Sequence, residues 1–272
     1  MPAPHTYLDA VTRFATEAGA AILAVYGEED FSVDTKADDS PLTQADLASH
    51  RHLVASLREL TPETPILSEE SEDVPYAERK TWDTFWLVDP LDGTKEFVKR
   101  NGEFTVNVAL MRAGRPVLGV VHVPVLDVTY WASEGQGAFK RANGTVVQLR
   151  AKQSVGEQLS VVASRSHAGA ETTALLENLR RDHHVEVVAK GSSLKLCEVA
   201  EGSADLYPRI GPTMEWDTAA AQCVAEGAGA RVTTLTDEPL SYNKENLLNP
   251  YFVVAAPSVA ALWRSYLPEG LA

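Results

Sequence analysis

Residues 86–107 read WLVDPLDGTKEFVKRNGEFTVN, a segment that joins an apolar run to two closely spaced carboxylates. The run from Trp86 to Val88 is typical of the end of a buried strand. Asp89 and Asp92 follow, with a Pro-Leu pair between them. Hard divalent cations take oxygen ligands, so the two carboxylates and the backbone carbonyl between them predict a turn that can hold one or two ions.

The residues directly after this turn suit a phosphate group. Gly93 lets backbone approach a ligand closely, and the N–H groups of Gly93 and Thr94 would bind an anion if a helix begins there. Lys95 adds a positive charge, and Pro90 stiffens the turn by keeping Asp89 extended. An isolated D-x-x-D-G is usually only a surface turn, so the metal hypothesis depends on the rest of the chain.

Composition excludes several classes of function. The chain has 272 residues with 44% hydrophobic content, enough for one large domain or two smaller ones. Its net charge of −14 argues against DNA or RNA as a partner and reflects either solubility or acids gathered around cations. Cys197 and Cys223 are too few and too far apart for a disulfide framework or a zinc motif. With no signal peptide and no long apolar segment, we expect a cytoplasmic protein without a membrane span.

The first half predicts helices followed by an antiparallel sheet. Apolar spacing predicts a helix from Tyr7 to Tyr26, and the T-x-x-D pair of Thr43 and Asp46 predicts a capping box before a second helix. A short strand at Ile66 and Leu67 ends in Glu69 and Glu70, of which only one can face a given site. Short strands then follow at Thr105–Met111, Val117–Val123, Val128–Trp131, Gly137–Lys140 and Val146–Leu149, with an Asn143-Gly144 hairpin turn.

From about Leu159 the pattern changes to alternating strands and helices, which indicates an α/β layer. Strands are predicted at Leu159–Ala163, Val185–Val188, Ala204–Tyr207 and Tyr251–Ala255. Helices are predicted at Gly169–Arg181, Ser192–Glu201, Trp216–Gly227 and Ser258–Tyr266. We therefore divide the chain into an antiparallel α+β half, residues 1–152, and an α/β half, residues 153–272.

Asp217 opens a helix of small residues in the second half. An Asp at this place is most often a cap or a first-turn residue that compensates the helix dipole. In an α/β layer, however, helix starts lie along the ligand-binding edge. Asp217 can therefore also complete a metal site.

Three segments together resemble the signatures of a known superfamily. Asp89–Thr94 (DPLDGT), Ser68–Ser71 (SEES) and Trp216-Asp217 are similar in type, order and spacing to those of the lithium-sensitive, magnesium-dependent phosphatases of the inositol monophosphatase superfamily. The resemblance spans most of the chain. It implies a layered α-β-α-β-α sugar-phosphatase-type fold, a Mg²⁺ cofactor of two or three ions and inhibition by Li⁺.

Within this superfamily, further segments resemble the bacterial 3′(2′),5′-bisphosphate nucleotidases. These are Lys95–Phe97, Ser164–His167, Gly191–Lys195 and Leu206–Arg209. The resemblance implies hydrolysis of the 3′-phosphate of 3′-phosphoadenosine 5′-phosphate to AMP and phosphate, which removes a by-product of sulfate assimilation. An inositol or sugar-phosphate phosphatase is one alternative, and a catalytically silent metal- or nucleotide-binding regulator is another.

The resemblance also implies a role for each acidic residue. Glu69, Asp89 and the carbonyl of Leu91 are expected to hold one Mg²⁺, and Asp89, Asp92 and Asp217 a second. Glu69 is chosen over Glu70 by the resemblance alone. Asp46, whose first interpretation is a helix cap, matches the family aspartate that pairs with the hydroxyl of Thr94, and one carboxylate can do both. Asp46, Thr94 and Glu69 would then take the proton from the attacking water.

Substrate contacts are expected from groups around these acids. The resemblance implies Gly93, Thr94, Lys95, Ser164, His167, Gly191, Lys195, Arg209 and Asp217. The alternative for Lys195 and Arg209 is a solvated surface charge, and for His167 a local hydrogen bond. His50, His52, His183 and His184 have no assigned role, because Mg²⁺ prefers oxygen ligands. The resemblance implies a small nucleotide bisphosphate as the partner, and the sequence leaves monomer and homodimer open.

Overall fold

The computed structural model describes residues 2–28, 33–35, 41–72, 74–164 and 169–271. Within these ranges the helices are α1 (Leu8–Tyr26), α2 (Gln44–Leu60), α3 (Tyr76–Arg79), α4 (Thr94–Val98), α5 (Ala170–Leu179), α6 (Leu194–Ala200) and α7 (Glu215–Gly227). The strands of the first half are β1 (Val33–Thr35), β2 (Pro41–Thr43), β3 (Ile66–Ser68), β4 (Thr84–Asp92), β5 (Thr105–Arg112), β6 (Arg115–Val123), β7 (Val128–Ser133), β8 (Gly137–Ala142) and β9 (Thr145–Gln148). Those of the second half are β10 (Leu159–Ser164), β11 (Val185–Lys190), β12 (Leu206–Arg209), β13 (Arg231–Thr234) and β14 (Phe252–Ala255).

The first sheet has seven strands in the order β3-β4-β5-β6-β7-β8-β9. Strands β4 to β9 pair antiparallel with their neighbours along the chain, whereas β3 runs parallel to β4. The predicted meander and its Asn143-Gly144 turn are thereby confirmed, since Asn143 and Gly144 both have positive φ. Helices α1 and α2 cover one face of this sheet with the apolar residues that give α1 its helical period: Val11, Phe14, Ala18 and Ile22.

The second sheet has five strands in the order β11-β10-β12-β14-β13. Strand β10 is parallel to β11 and β12, and β14 is antiparallel to both of its neighbours. Strand β13 was absent from the sequence prediction. The helix predicted at Ser258–Tyr266 is wrong, because this segment forms successive turns and a 3₁₀ turn at Trp263–Tyr266. Its apolar spacing buries Val259 and Trp263 without a continuous helix, and its first residue donates instead to the carbonyl of Lys152.

These elements form five layers, which confirms the predicted α-β-α-β-α arrangement. Helices α1 and α2 lie outside the first sheet, α6 and α7 lie between the two sheets, and α5 lies outside the second with the 3₁₀ turn. Helix α7 approaches β6 so closely that a Cβ atom on Gly119 would lie 2.2 Å from the carbonyl oxygen of Ala220. Both halves contribute residues to the apolar core between the two sheets, and the boundary after residue 152 stays a prediction.

This layering brings three chain segments together at one edge of the molecule: the ends of β3 and β4, and the start of α7. None of the helices in the described ranges combines the length and apolar character needed to cross a membrane.

Candidate metal and substrate site

An irregularity in β4 places two carboxylates on the same side. In a regular strand, residues three positions apart point to opposite faces. The pairing of β4 with β5 shifts register between Asp89 and Asp92, as in a β-bulge, and this shift turns Asp92 back toward Asp89. The amide of Leu91 donates to Asp89 Oδ1 at 3.0 Å and closes the turn, and Gly93 follows with φ of +93°.

Asp217 completes the acidic cluster from the other half of the chain. It lies in the first turn of α7, where its Oδ2 accepts a hydrogen bond of 2.9 Å from the amide of Met214. Carboxylate oxygens of Asp89, Asp92 and Asp217 all lie within 4.8 Å of one another. Asp217 is thus both a helix cap and a member of the cluster, as the sequence had allowed.

Glu69 is the fourth acid. It follows β3, and its amide donates to the carbonyl of Val88 at 3.1 Å. Its side chain lines the same cleft as Asp217, and its charge acts on Asp89, Asp92 and Asp217. These observations place Glu69 beside the cluster, as expected from the resemblance.

Burial and mutual repulsion make it unfavourable for all four carboxylates to carry their charge when no cation is bound. Burial raises the pKa of Asp89 well above its usual range, and the charges of Glu69, Asp92 and Asp217 raise it further. Burial likewise raises the pKa of Asp217, and the charges of Asp92 and Glu69 raise it further. Burial raises the pKa of Asp92 to about 6, against the opposing effects of Lys195 and of the amide of Ser193. Such a group needs either protons or a cation to be stable.

The donor set fits Mg²⁺. The cluster offers only oxygen ligands, which this ion prefers. Asp89 Oδ2 is buried and receives no hydrogen bond from the described residues, so it has capacity for a cation. The carbonyl of Leu91 lies in the same turn, 3.4 Å from the hydroxyl oxygen of Thr94.

Asp46 performs both of the roles that the sequence had allowed. Its Oδ2 accepts hydrogen bonds from the amide and the hydroxyl of Thr43, at 2.8 and 2.5 Å, which completes the capping box of α2. Its Oδ1 accepts a hydrogen bond of 3.2 Å from the hydroxyl of Thr94. The buried carboxylate therefore joins the start of α2 to the turn after β4.

Two further side chains of α2 contact the same region and were not assigned from the sequence. Ser49 donates to the carbonyl of Pro90 at 2.7 Å, and His50 Nδ1 lies 2.9 Å from the hydroxyl oxygen of Ser68, next to Glu69. Residues 46, 49 and 50 lie on one face of a helix, and this spacing is the signal that could have identified them.

A cleft between the two halves opens over the acidic cluster. It has an inner part of about 120 Å³, which Gly191, Lys195 and Tyr207 line, and an outer part of about 400 Å³, which Thr94 and Trp216 line. Both parts share the residues Asp92, Gly93, Lys95, Glu96, Arg209, Thr213 and Asp217.

Two of the predicted substrate contacts cannot be compared with this cleft. Only the backbone of Ser164, at the end of β10, is described, and His167 lies outside the described residues.

Lys195 is not a solvated surface charge. Only 6% of the residue is exposed, and its Nζ donates to the carbonyl of Ser192 at 2.5 Å and lies 5.7 Å from the ring centroid of Tyr207. Burial lowers its pKa to about 8. Arg209 is partly exposed and donates to the carbonyl of Pro212 at 2.6 Å.

Ser193 connects the cleft to the acidic turn and had no predicted role of its own. Its amide donates to Asp92 Oδ2 at 2.5 Å, and its hydroxyl donates to Asn107 Oδ1 at 2.9 Å. Because the Ser193 hydroxyl has only one proton, it accepts in its second contact: the hydroxyl of Thr105 donates to it at 2.9 Å. Gly191 packs tightly nearby: its amide donates to Glu103 Oε2 at 2.8 Å, and a Cβ would lie 2.8 Å from the carbonyl oxygen of Glu103.

Comparison with known proteins gives consistent similarities. Residues 4–266 match the sequence model of the inositol monophosphatase family. The chain is 50% identical over 251 residues to the 3′(2′),5′-bisphosphate nucleotidase CysQ of Escherichia coli (strain K12), covering 91% of this chain and 99% of that protein. The crystal structure of CysQ from Bacteroides thetaiotaomicron superposes with a TM-score of 0.83 and 46% identity, covering 93% of this chain and 97% of that one. An inositol monophosphatase structure from Thermotoga maritima gives a TM-score of 0.78 and 25% identity, covering 96% of each chain.

Proposed function

The chain belongs to the inositol monophosphatase family, and on this premise we propose that it is a Mg²⁺-dependent 3′(2′),5′-bisphosphate nucleotidase. It hydrolyses the 3′-phosphate of 3′-phosphoadenosine 5′-phosphate and releases AMP and phosphate in the cytoplasm. The main observation in support is the cluster of Asp89, Asp92 and Asp217 at a cleft that also contains the buried cation of Lys195. The names of the relatives from Escherichia coli and Bacteroides thetaiotaomicron support the nucleotide substrate.

Glu69, Asp89 and the carbonyl of Leu91 would hold one Mg²⁺, and Asp89, Asp92 and Asp217 would hold a second. Two observations support this assignment: the donor set is all oxygen, and Asp89 Oδ2 receives no hydrogen bond from the residues that the structure describes. When bound, Mg²⁺ ions neutralise the cluster, polarise the phosphoryl oxygens and lower the pKa of a bound water.

Thr94 and Asp46 orient the attacking water. Thr94 donates its single proton to Asp46 Oδ1, so its hydroxyl oxygen is left as an acceptor for a proton of that water. Asp46 is held by Thr43 and keeps the Thr94 hydroxyl in this orientation. The carboxylate of Glu69, beside the same turn, is a second acceptor for the proton.

The remaining phosphate and the nucleoside occupy the cleft beside the acidic cluster. Lys95, Lys195 and Arg209 supply positive charge there, and Gly93 and Gly191 line the inner part of the cleft. Ser164 and His167 stay predictions from the sequence as nucleotide contacts.

The deciding experiment compares phosphate release from 3′-phosphoadenosine 5′-phosphate and from inositol 1-phosphate, at equal concentrations, with and without Mg²⁺. We expect Mg²⁺-dependent release with a preference for the nucleotide of at least about 100-fold in kcat/KM, equivalent to about 2.7 kcal/mol in the transition state. Preference for inositol 1-phosphate would instead indicate a sugar-phosphate phosphatase. Tight nucleotide binding in calorimetry without phosphate release would indicate a silent regulator.

Lithium provides an independent check on the same acidic cluster. Li⁺ takes the place of one Mg²⁺ in this proposal, so millimolar Li⁺ should inhibit phosphate release. Activity that is indifferent to Li⁺ over this range would contradict the proposed arrangement of ions.

A further inference from the structure

The proposed metal ligands come from two parts of the chain that must be held together. Glu69 follows β3, whereas Asp217 lies in the first turn of α7. Their carboxylates repel each other, and the charge of Glu69 raises the pKa of Asp217. Contacts outside the cluster must therefore hold the two segments in place when no cation is bound.

Arg79 makes such contacts. It lies at the end of α3, on the segment that follows Glu69, and only 3% of it is exposed. Its guanidinium donates four hydrogen bonds, from Nε to the carbonyl of Val74 (3.0 Å), from Nη1 to Asn243 Oδ1 (2.9 Å) and the carbonyl of Lys244 (3.1 Å), and from Nη2 to the carbonyl of Glu245 (3.3 Å). In return, Asn243 Nδ2 donates to the carbonyl of Arg79 at 2.6 Å.

Glu215 joins the same loop to the start of α7. This carboxylate is fully buried, and it accepts hydrogen bonds from the amide of Asn243 (2.6 Å) and from the amide (3.0 Å) and Nζ (2.5 Å) of Lys244. A buried carboxylate that loses such donors pays its full desolvation cost, so the loop is firmly tied to Glu215. Asp217 follows two positions later in the same helical turn.

The rest of the loop, residues 243–249, also lies against this helix start. Asn249 Nδ2 donates to the carbonyl of Met214 at 2.8 Å and to the hydroxyl of Thr218 at 3.0 Å. The amide of Glu215 donates to the carbonyl of Leu247 at 3.0 Å. The 243–249 loop therefore connects the segment that follows Glu69 with the start of α7, which carries Asp217.

We propose that Arg79 is a positioning residue of the metal site, which fixes the segment carrying Glu69 against the helix start carrying Asp217 through the 243–249 loop and Glu215. The inference rests on the proposed Mg²⁺-dependent function. None of the residues to which Arg79 donates lines the cleft, so Arg79 acts through the distance between Glu69 and Asp217. A lysine cannot replace it, because the ammonium group lacks the planar fork that reaches several acceptors at once.

The test measures Mg²⁺ binding to Arg79→Gln by isothermal titration calorimetry, without substrate, together with the Mg²⁺ dependence of phosphate release. We expect the Mg²⁺ dissociation constant to rise at least about tenfold, equivalent to about 1.4 kcal/mol. At saturating Mg²⁺, kcat should stay within about threefold of the unmutated value, because the reacting groups are unchanged.

Lys140→Met is a matched control. Lys140 lies on β8 and donates to Glu201 Oε2, at the end of α6, at 2.5 Å, so this pair also joins the two halves. Neither residue lines the cleft. We expect this variant to lower the unfolding temperature while its Mg²⁺ dissociation constant stays within about twofold, since the lost contact lies away from every ligand.

Equal loss of thermal stability in both variants, with unchanged Mg²⁺ affinity in both, would overturn the inference and leave the proposed function intact. If Arg79→Gln does not fold, Asn243→Gly gives the same comparison, because glycine tolerates the φ of +62° at this position and only the side-chain bonds are lost. An unmutated protein that binds no Mg²⁺ would refute the proposed function, and the inference with it.

Discussion

The hydroxyl of Thr94 donates to Asp46 Oδ1 at 3.2 Å, a contact that joins positions 48 residues apart. The other oxygen of this carboxylate accepts from the amide and the hydroxyl of Thr43. With both of its oxygens engaged, Asp46 has one orientation, and it determines where the proton of Thr94 points. The oxygen of Thr94 is consequently presented as an acceptor beside the acidic cluster.

Removing this hydroxyl should impair chemistry more than metal binding. Thr94→Val keeps the shape of the side chain but cannot accept a proton, so we expect kcat to fall about 10²- to 10⁴-fold. The Mg²⁺ dissociation constant should change by less than about threefold, because the carboxylate ligands stay. Thr94→Ser retains the hydroxyl and serves as the control. Activity of Thr94→Val close to that of Thr94→Ser, in a phosphate-release assay, would exclude Thr94 from the reaction.

Neutralising Asp92 should abolish turnover without damaging the fold. Asp92→Asn keeps an oxygen that can accept from the amide of Ser193 but removes a charged metal ligand. We expect no measurable phosphate release and, in EDTA, an unfolding temperature no lower than that of the unmutated protein, because repulsion among buried carboxylates is relieved. Asp237→Asn, at a partly exposed carboxylate paired with Arg231, is the control and should keep full activity. Normal turnover of Asp92→Asn would disprove the metal assignment.

Magnesium should stabilise the folded protein. At a Mg²⁺ concentration 100 times its dissociation constant, binding adds about 2.7 kcal/mol to the free energy of unfolding. For a chain of this size, that corresponds to a rise of about 5–10 °C in unfolding temperature. Differential scanning fluorimetry with Mg²⁺ and with EDTA measures it. The same titration on Asp92→Asn should show a smaller rise, because only the second of the two proposed ions loses a ligand.

The metal-free protein should lose stability as pH rises. The pKa of Asp92 is about 6 in the folded state and near 4 in the unfolded chain, so the folded state binds more protons between these values. Its free energy of unfolding therefore decreases as pH rises from about 4 to about 6. Asp92→Asn lacks this contribution, so in EDTA the stability difference between the two proteins should change over this window. A difference that is constant from pH 4 to pH 7 would contradict the raised pKa.

Loss of the positive charge of Lys195 should lower kcat/KM at alkaline pH. Its pKa of about 8 means that the free enzyme loses this positive charge as pH rises above that value. If Lys195 binds a substrate phosphate, kcat/KM should fall above about pH 8. Lys195→Met should raise KM by about tenfold or more and remove this limb of the pH profile. An unchanged profile in the variant would show that another group titrates.

The close approach of α7 to β6 predicts a sensitive position far from the cleft. A Cβ on Gly119 would lie 2.2 Å from the carbonyl oxygen of Ala220 and 2.8 Å from Cys223 Cβ, so Gly119→Ala must displace α7. We expect a loss of about 1–3 kcal/mol in stability, with weaker Mg²⁺ binding because Asp217 lies on this helix. Gly156→Ala, where the nearest atom is 4.0 Å away, should be neutral in thermal unfolding and in Mg²⁺ titration.

Most helices and strands could be predicted from the sequence because their signals are local, whereas the layered arrangement was expected from the resemblance to the family. Apolar spacing marked α1, and the Thr43–Asp46 pair marked the start of α2. Short β runs and the Asn143-Gly144 turn signal marked β5 to β9. The predicted helix at Ser258–Tyr266 is wrong for the same reason: its apolar spacing is helical, but its backbone forms separate turns. Strand β13 was missed because its position depends on pairing with β14.

The sequence by itself also determined the acidic turn, the choice of Asp217 and the family, since these depend on residue types at fixed spacing. Only the tertiary structure decided which groups meet. The bulge that turns Asp92 toward Asp89 depends on the pairing of β4 with β5. The contact of His50 with Ser68 and the hydrogen bonds of Arg79 to Asn243 join segments that are not adjacent in the chain. Local periodicity can be read from the sequence directly, whereas a contact such as that of Arg79 with Asn243, across 164 positions, depends on how both sheets pack against α6 and α7.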